Sequence, residues 1–130
     1  MEIPPNTKVT DLPASVFWFD ESGILCSITK NTAAPSFDET KRIIEHFKQL
    51  IGNRKVCILL DVTNSPPNTK ETRDYMSAEM PKFSKAVGII SGSAFGMMVA
   101  NIFFGLKKQP YPVKMFTDER VAKKWLKQFL

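Results

Sequence analysis

The stretch Lys55-Val56-Cys57-Ile58-Leu59-Leu60-Asp61 decides the fold, because it is a short, unbroken apolar run that ends at a carboxylate. Runs of this kind are typical of strands buried on both faces, as in a parallel sheet. Parallel neighbours are joined by crossover connections, usually helices. The segments on either side of this strand are therefore expected to be helical.

The segment before the strand has a helical pattern with a clear start and stop. Ser36-Phe37-Asp38-Glu39 fits a capping box, with Ser36 at the N-cap and Glu39 three residues later. Gly52-Asn53 marks the end of the helix. The apolar residues recur at helical spacing, and they are Phe37, Ile43, Ile44, Phe47, Leu50 and Ile51.

The segments after the strand continue the alternation of helices and strands. A second helix is expected from about Thr69 until Pro81 ends or kinks it. A buried strand at 86–90 follows, then a helix at 93–106 that is apolar nearly all round. A short strand at 113–116 precedes a last helix, capped by Thr117-Asp118.

The amino-terminal part predicts a hairpin. Val16-Phe17-Trp18-Phe19 and residues 24–30 are β-prone and flank the turn residues Asp20-Glu21-Ser22-Gly23. Residues 1–14 are rich in proline and are expected to form an irregular arm. The predicted fold is α/β: a mixed sheet of four or five strands with an N-terminal β-hairpin, then αβαβαβα. Residues 15–130 are expected to form one domain.

Composition narrows the class of protein. Hydrophobic residues make up 43% and charged residues 24% of the 130 residues, which is typical of a globular domain. Cys26 and Cys57 lie in apolar runs and are expected to be buried thiols. Two cysteines and one histidine are too few for a structural zinc site. We therefore expect no metal and no cofactor.

The charge and the hydropathy pattern bear on partners and location. The net charge is +5, but no recognised nucleic-acid module appears, so nucleic acid is not an expected partner. Ser91-Gly92-Ser93 and Asn101 interrupt the uncharged stretch 86–106, which argues against a membrane span. Residues 1–5 do not form a signal peptide, so the cytoplasm is the expected location.

Two loops are the candidate binding surface, because ligands of open α/β sheets bind beyond the carboxyl ends of the strands. Both loops are rich in hydroxyls and amides, and both lead into helix starts, where capping needs the same residue types. The candidate residues for a partner or ligand are Asp61, Thr63, Asn64, Ser65, Asn68, Thr69, Ser91 and Ser93.

Catalytic groups are scarce. His46 lies beside the apolar stripe of the first predicted helix, and no nucleophile-elbow pattern accompanies it. Asp61 at a strand end is an isolated carboxylate. No catalytic residue is therefore assigned, and a small enzyme that uses His46 or Asp61 stays an alternative.

The apolar helix at 93–106 needs something to cover its second face. Packing against the last helix, a homodimer contact or a ligand pocket would each do so. The candidate residues for a dimer face or an apolar ligand are Phe95, Met98, Ile102 and Phe103.

The order of the elements resembles that of the STAS superfamily, and in particular the small SpoIIAA-like bacterial proteins of STAS/SEC14 type. The resemblance is carried by Val56–Asp61, by Ala86–Ile90 with its serine-rich turn, and by Pro112-Val113-Lys114-Met115-Phe116-Thr117-Asp118 leading to Trp125-Leu126. It implies a STAS-like domain without catalytic activity. The same group resembles lipid-binding CRAL-TRIO domains.

The resemblance also implies a phosphorylated serine or threonine in the loop after the central strand. That place falls on residues 63–69, where the candidates are Thr63, Ser65 and Thr69. This chain reads Asp-Val-Thr-Asn-Ser-Pro-Pro-Asn-Thr there, without the glycine of the Asp-Ser-Ser-Gly-like motif.

The first hypothesis is therefore a non-enzymatic regulatory or interaction domain, with another protein or a second copy of itself as partner. The alternative is a carrier or sensor of a lipid or another apolar small molecule.

Overall fold

A computed structural model describes residues 1–66, 68–92 and 109–130. The described strands form one mixed sheet in which the spatial order follows the sequence order. The first three strands are antiparallel, and each later strand is parallel to the one before it. The strands are β1 (Thr10–Asp11), β2 (Ser15–Phe19), β3 (Leu25–Thr29), β4 (Val56–Asp61), β5 (Ser84–Ile90) and β6 (Val113–Phe116).

The described helices begin where the sequence places capping residues. They are α1 (Phe37–Ile51), α2 (Lys70–Glu79) and α3 (Glu119–Leu126). Ser36 and Glu39 form both bonds of the capping box of α1, while Thr69 caps α2 and Asp118 caps α3. Pro81 lies in a 3₁₀ turn, Met80–Lys82, that ends α2. A second 3₁₀ turn, Lys127–Phe129, follows α3.

The predicted α/β fold is confirmed, and two details of the prediction are corrected. The described part of the sheet has six strands rather than four or five. The additional strand, β1, lies inside residues 1–14, which were expected to be irregular. Thr10 pairs with Phe17 and Asp11 with Val16, because this pairing satisfies backbone groups at the edge of β2.

The helix predicted at 93–106 lies outside the described residues. Within the described ranges, no helix is long and apolar enough to cross a membrane.

The sheet carries an apolar layer on each face. Along β4, Ile58 packs into a cluster with Ile44 and Phe47 of α1. Leu59 points the other way, into a cluster with Leu126 of α3. This alternation explains why β4 reads as a continuous apolar run, since helices cover it from both sides.

Gly88 on β5 allows α3 to approach the sheet closely. A Cβ at this position would lie 3.3 Å from Cδ1 of Leu126 and 3.3 Å from Cδ1 of Leu59. These distances are tight for carbon atoms in a packed interior. The absence of a side chain at Gly88 is therefore part of the packing between the sheet and α3.

An ion pair joins the two helices on the opposite face. Nζ of Lys48 on α1 lies 2.7 Å from Oε1 of Glu79 on α2, and Lys82 contacts the other carboxylate oxygen. The hydrogen bonds from Lys48 and Lys82 lower the pKa of Glu79. The pair ties the end of α2 to the last turn of α1, beside the cavity described below.

Candidate functional site

The two predicted loops meet at the carboxyl ends of β4 and β5. The Asp61 carboxylate accepts hydrogen bonds from the Thr63 amide at 3.1 Å and from the Thr63 hydroxyl at 2.7 Å. The Thr63 hydroxyl in turn accepts a bond of 2.9 Å from the Gly92 amide. Thr63 therefore connects the loop after β4 to the loop after β5.

The second carboxylate oxygen of Asp61 holds the amino group of Met1, at 3.0 Å. Burial alone would raise the pKa of Asp61, but the Thr63 hydrogen bonds and the Met1 ammonium group outweigh it and lower that pKa. Asp61 is 6% exposed. It is thus a buried, ionised and fully engaged carboxylate that organises the chain around it.

The other predicted residues of the first loop do not share one environment. Asn64 is exposed and Ser65 is half-buried in the turn that follows. The carbonyl of Asn68 accepts a bond of 2.7 Å from the Arg73 guanidinium. The hydroxyl of Thr69 accepts a bond from the Thr72 amide at the start of α2. Capping therefore accounts for Thr69.

The three phosphorylation candidates occupy different environments. Thr63 already binds the Asp61 carboxylate, so a phosphate there would place two negative groups in contact. The Ser65 hydroxyl donates to the Pro66 carbonyl at 3.4 Å. Thr69 stands at a helix start, where added negative charge is electrostatically favourable. Phosphorylation of this loop stays a prediction.

In the second loop, Ser91 is buried and its amide donates to the carbonyl of Phe116. The predicted residues Ser93, Phe95, Met98, Ile102 and Phe103 lie outside the described residues.

A cavity of about 120 Å³ lies between the sheet and helices α1 and α2. Its apolar wall combines Leu60 of β4 with side chains of α1, α2 and the following turn. These side chains are Ile43, Ile44, Phe47, Met76 and Met80. Three half-buried residues, Pro35, Ser65 and Asn68, also line the cavity. The cavity therefore opens between the loop before α1 and the loop after β4.

The cavity also has a polar wall made of hydroxyls. Ser15 of β2 and Ser27 of β3 are buried, and their hydroxyl oxygens share a hydrogen bond of 3.0 Å. Thr40 of α1 lines the same cavity at 4% exposure. Its Oγ1 is buried and has no hydrogen-bond partner among the described residues. A buried hydroxyl in this state costs about 1–3 kcal/mol of stability.

The part that Thr40 plays in the cavity could have been suspected from the sequence, although a search for apolar residues alone misses it. Positions 37, 40, 44, 47 and 51 form one helical stripe, and Thr40 is the polar residue within it. Ser27 likewise takes an inward position of β3, two residues after the buried Leu25. A polar residue on a face predicted to be buried was the available indication of a site.

The single histidine and the two cysteines do not line the cavity. His46 on α1 is bonded through Nδ1 to the Arg42 carbonyl at 2.8 Å and does not line the cavity. Cys26 and Cys57 are buried free thiols on the other face of the sheet, and burial raises the pKa of Cys26 to about 12. In the part of the chain that is described, no cluster of three or more His, Cys, Asp or Glu side chains could hold a metal ion.

The fold is similar to that of solved proteins. An uncharacterized protein of the DUF3478 family with a SpoIIAA-like fold, from Shewanella loihica PV-4, matches with a TM-score of 0.61 at 20% identity. The match covers 90% of this chain and 97% of that chain. It confirms the SpoIIAA-like fold predicted from the sequence.

A protein of unknown function from Arthrobacter sp. FB24 is 25% identical, over 85% of this chain and 97% of that chain. Its TM-score of 0.33 is too low to inform the fold. No curated protein sequence matches this chain. Residues 17–130 match the model of a family described as domain of unknown function (DUF7793), and the chain therefore belongs to that family.

Proposed function

We propose that this chain is a non-enzymatic regulatory domain that binds a small apolar molecule in the cavity between the sheet and α1. The loop of residues 61–69 would present the bound or empty state to a protein partner. This proposal combines the two hypotheses from the sequence: the domain senses an apolar molecule and reports its presence through a protein interaction.

One observation carries the proposal: the candidate partner loop is also a wall of the cavity. Val62, Ser65 and Asn68 belong to the loop and line the cavity. A molecule in the cavity therefore touches the segment that a partner would contact. Because Thr63 bonds to Gly92, a shift of this loop would also reach the loop after β5.

The volume favours a small molecule over a lipid. Drug-sized ligands occupy pockets of roughly 300–1,000 Å³, which exceeds the cavity volume of about 120 Å³. An engineered cavity of roughly 150 Å³ in another protein holds benzene. A ligand about the size of benzene suits this space.

The placement of the polar groups favours binding over catalysis. Asp61 is occupied by Thr63 and Met1, and His46 is bonded to its own helix. Neither residue lines the cavity. Among the described lining residues, a ligand in the cavity would therefore meet aliphatic, aromatic, thioether, hydroxyl and amide groups, and no charged acid or base.

Benzene titration followed by amide NMR tests the proposal. We expect signals of cavity residues to shift in wild type, and the Thr63 and Gly92 signals to shift with them. Val62→Phe should fill the cavity and abolish these shifts. Val121→Phe is the matched control, because Val121 is 55% exposed on α3 and does not line the cavity.

Wild-type protein that shows no saturable shifts with benzene would overturn the proposed function. Shifts that persist unchanged in Val62→Phe would place the binding elsewhere and would also overturn it. Cavity shifts that leave Thr63 and Gly92 unmoved would refute the proposed response of the loop.

A further inference from the structure

We propose that the cavity selects an uncharged ligand of about the size of phenol that carries one hydroxyl group, and that Thr40 is the residue that recognises this group. The inference rests on the proposed function and adds the ligand class to it. The cavity is small, its described lining residues include no acidic or basic side chain, and Thr40 has unused hydrogen-bonding capacity.

The lining excludes a charged ligand. The described residues around the cavity include serines, threonines and an asparagine, but no acidic or basic side chain. An ion moved from water into such a site would lose its hydration without gaining a counter-charge. The ligand is therefore neutral in its bound form.

The polar wall favours a ligand with a hydroxyl group over a pure hydrocarbon of the same size. Thr40 lines the cavity, and its buried Oγ1 has no hydrogen-bond partner among the described residues. Ser15 and Ser27 share one hydrogen bond, while a hydroxyl can donate one proton and accept through two lone pairs. A ligand hydroxyl could pair with Thr40, whereas benzene would leave Thr40 unsatisfied.

The rest of the cavity limits the ligand to a compact apolar body. Phe47, Ile44 and Met80 are almost fully buried and form its floor. A ring with one polar atom would place its apolar part against these side chains and its hydroxyl against α1. Phenol is the simplest probe of this class, and benzene is its matched analogue without the hydroxyl.

The test measures phenol and benzene affinity on wild type and on Thr40→Val, by calorimetry or NMR titration. One well-formed hydrogen bond corresponds to a factor on the order of ten in affinity. We expect the ratio of phenol to benzene affinity to fall by about tenfold in Thr40→Val, with benzene binding unchanged. Thr40→Ser should restore the ratio, and Thr117→Val, at an exposed site outside the cavity, should not alter it.

The outcomes separate this inference from the proposed function. An unchanged ratio in Thr40→Val, with benzene still bound in the cavity, would overturn the role of Thr40 and leave the proposed function standing. Failure of benzene to bind wild type would overturn the proposed function and, with it, this inference. Loss of the ratio in Thr40→Val and its recovery in Thr40→Ser would support the inference.

Discussion

Replacing Thr40 by valine should stabilise the protein in the absence of ligand. Thr40 is 4% exposed, and its Oγ1 lacks a hydrogen-bond partner among the described residues. Valine has nearly the same shape and a similar helix propensity, so the main change is the removal of an unsatisfied hydroxyl. Since such a group costs about 1–3 kcal/mol, we expect the free energy of unfolding to rise by about 1–2 kcal/mol.

Urea unfolding followed by circular dichroism measures this gain, and calorimetry gives the matching change in Tm. For a domain of this size, about 1 kcal/mol corresponds to a shift of about 4 °C. Thr72→Val is the matched control. Thr72 is 2% exposed in the first turn of α2, but its hydroxyl accepts a bond of 3.1 Å from the Thr69 hydroxyl. The same substitution there should lower stability by about 1 kcal/mol.

Destabilisation by Thr40→Val comparable to that of Thr72→Val would refute the reasoning. It would mean that the Thr40 hydroxyl is satisfied in the free protein, for example by ordered water in the cavity. The hydroxyl would then not be free to attract a ligand.

Two further predictions concern the opposite face of the sheet and the carboxyl ends of the strands. Gly88→Val should lower the free energy of unfolding by about 1–3 kcal/mol, because the valine side chain would collide with Leu126 and Leu59. An unchanged urea unfolding curve would contradict this packing. The lowered pKa of Asp61 contributes stability above the ordinary pKa of an aspartate, and this contribution is lost as the pH falls through the lowered value. Asp61→Asn should therefore lower the free energy of unfolding at pH 7 and make it less dependent on pH in the acid range. If the free energy of unfolding of variant and wild type changed with pH in parallel, the ionised Asp61 would not be the stabilising group.

Local patterns were sufficient to predict most of the secondary structure. The capping box at Ser36 and Glu39 predicted the start of α1, and the uninterrupted apolar run predicted β4 as a strand covered on both faces. Such signals depend on neighbouring residues and on the burial of one element, which are properties of the sequence itself. The short edge strand β1 was missed because two residues without alternation give no such signal.

The candidate site was predicted only in part. Loop chemistry pointed to Asp61 and Thr63, but not to the bond from Gly92 that joins the two loops. That bond depends on the register of β4 and β5, which places Asp61 beside Ile90. Register across parallel strands is a property of the assembled sheet.

The sequence by itself determined that this is an α/β domain with a buried parallel strand, capped helices and a polar loop after β4. Only the tertiary structure decided that Thr40 of α1 and Ser27 of β3 line one cavity with that loop. Periodicity identifies which face of an element is buried, but not which distant residues share the enclosed space. Packing of α1 over β3 and β4 determines that, because interior volume and unsatisfied hydrogen bonds exist only once the elements are assembled.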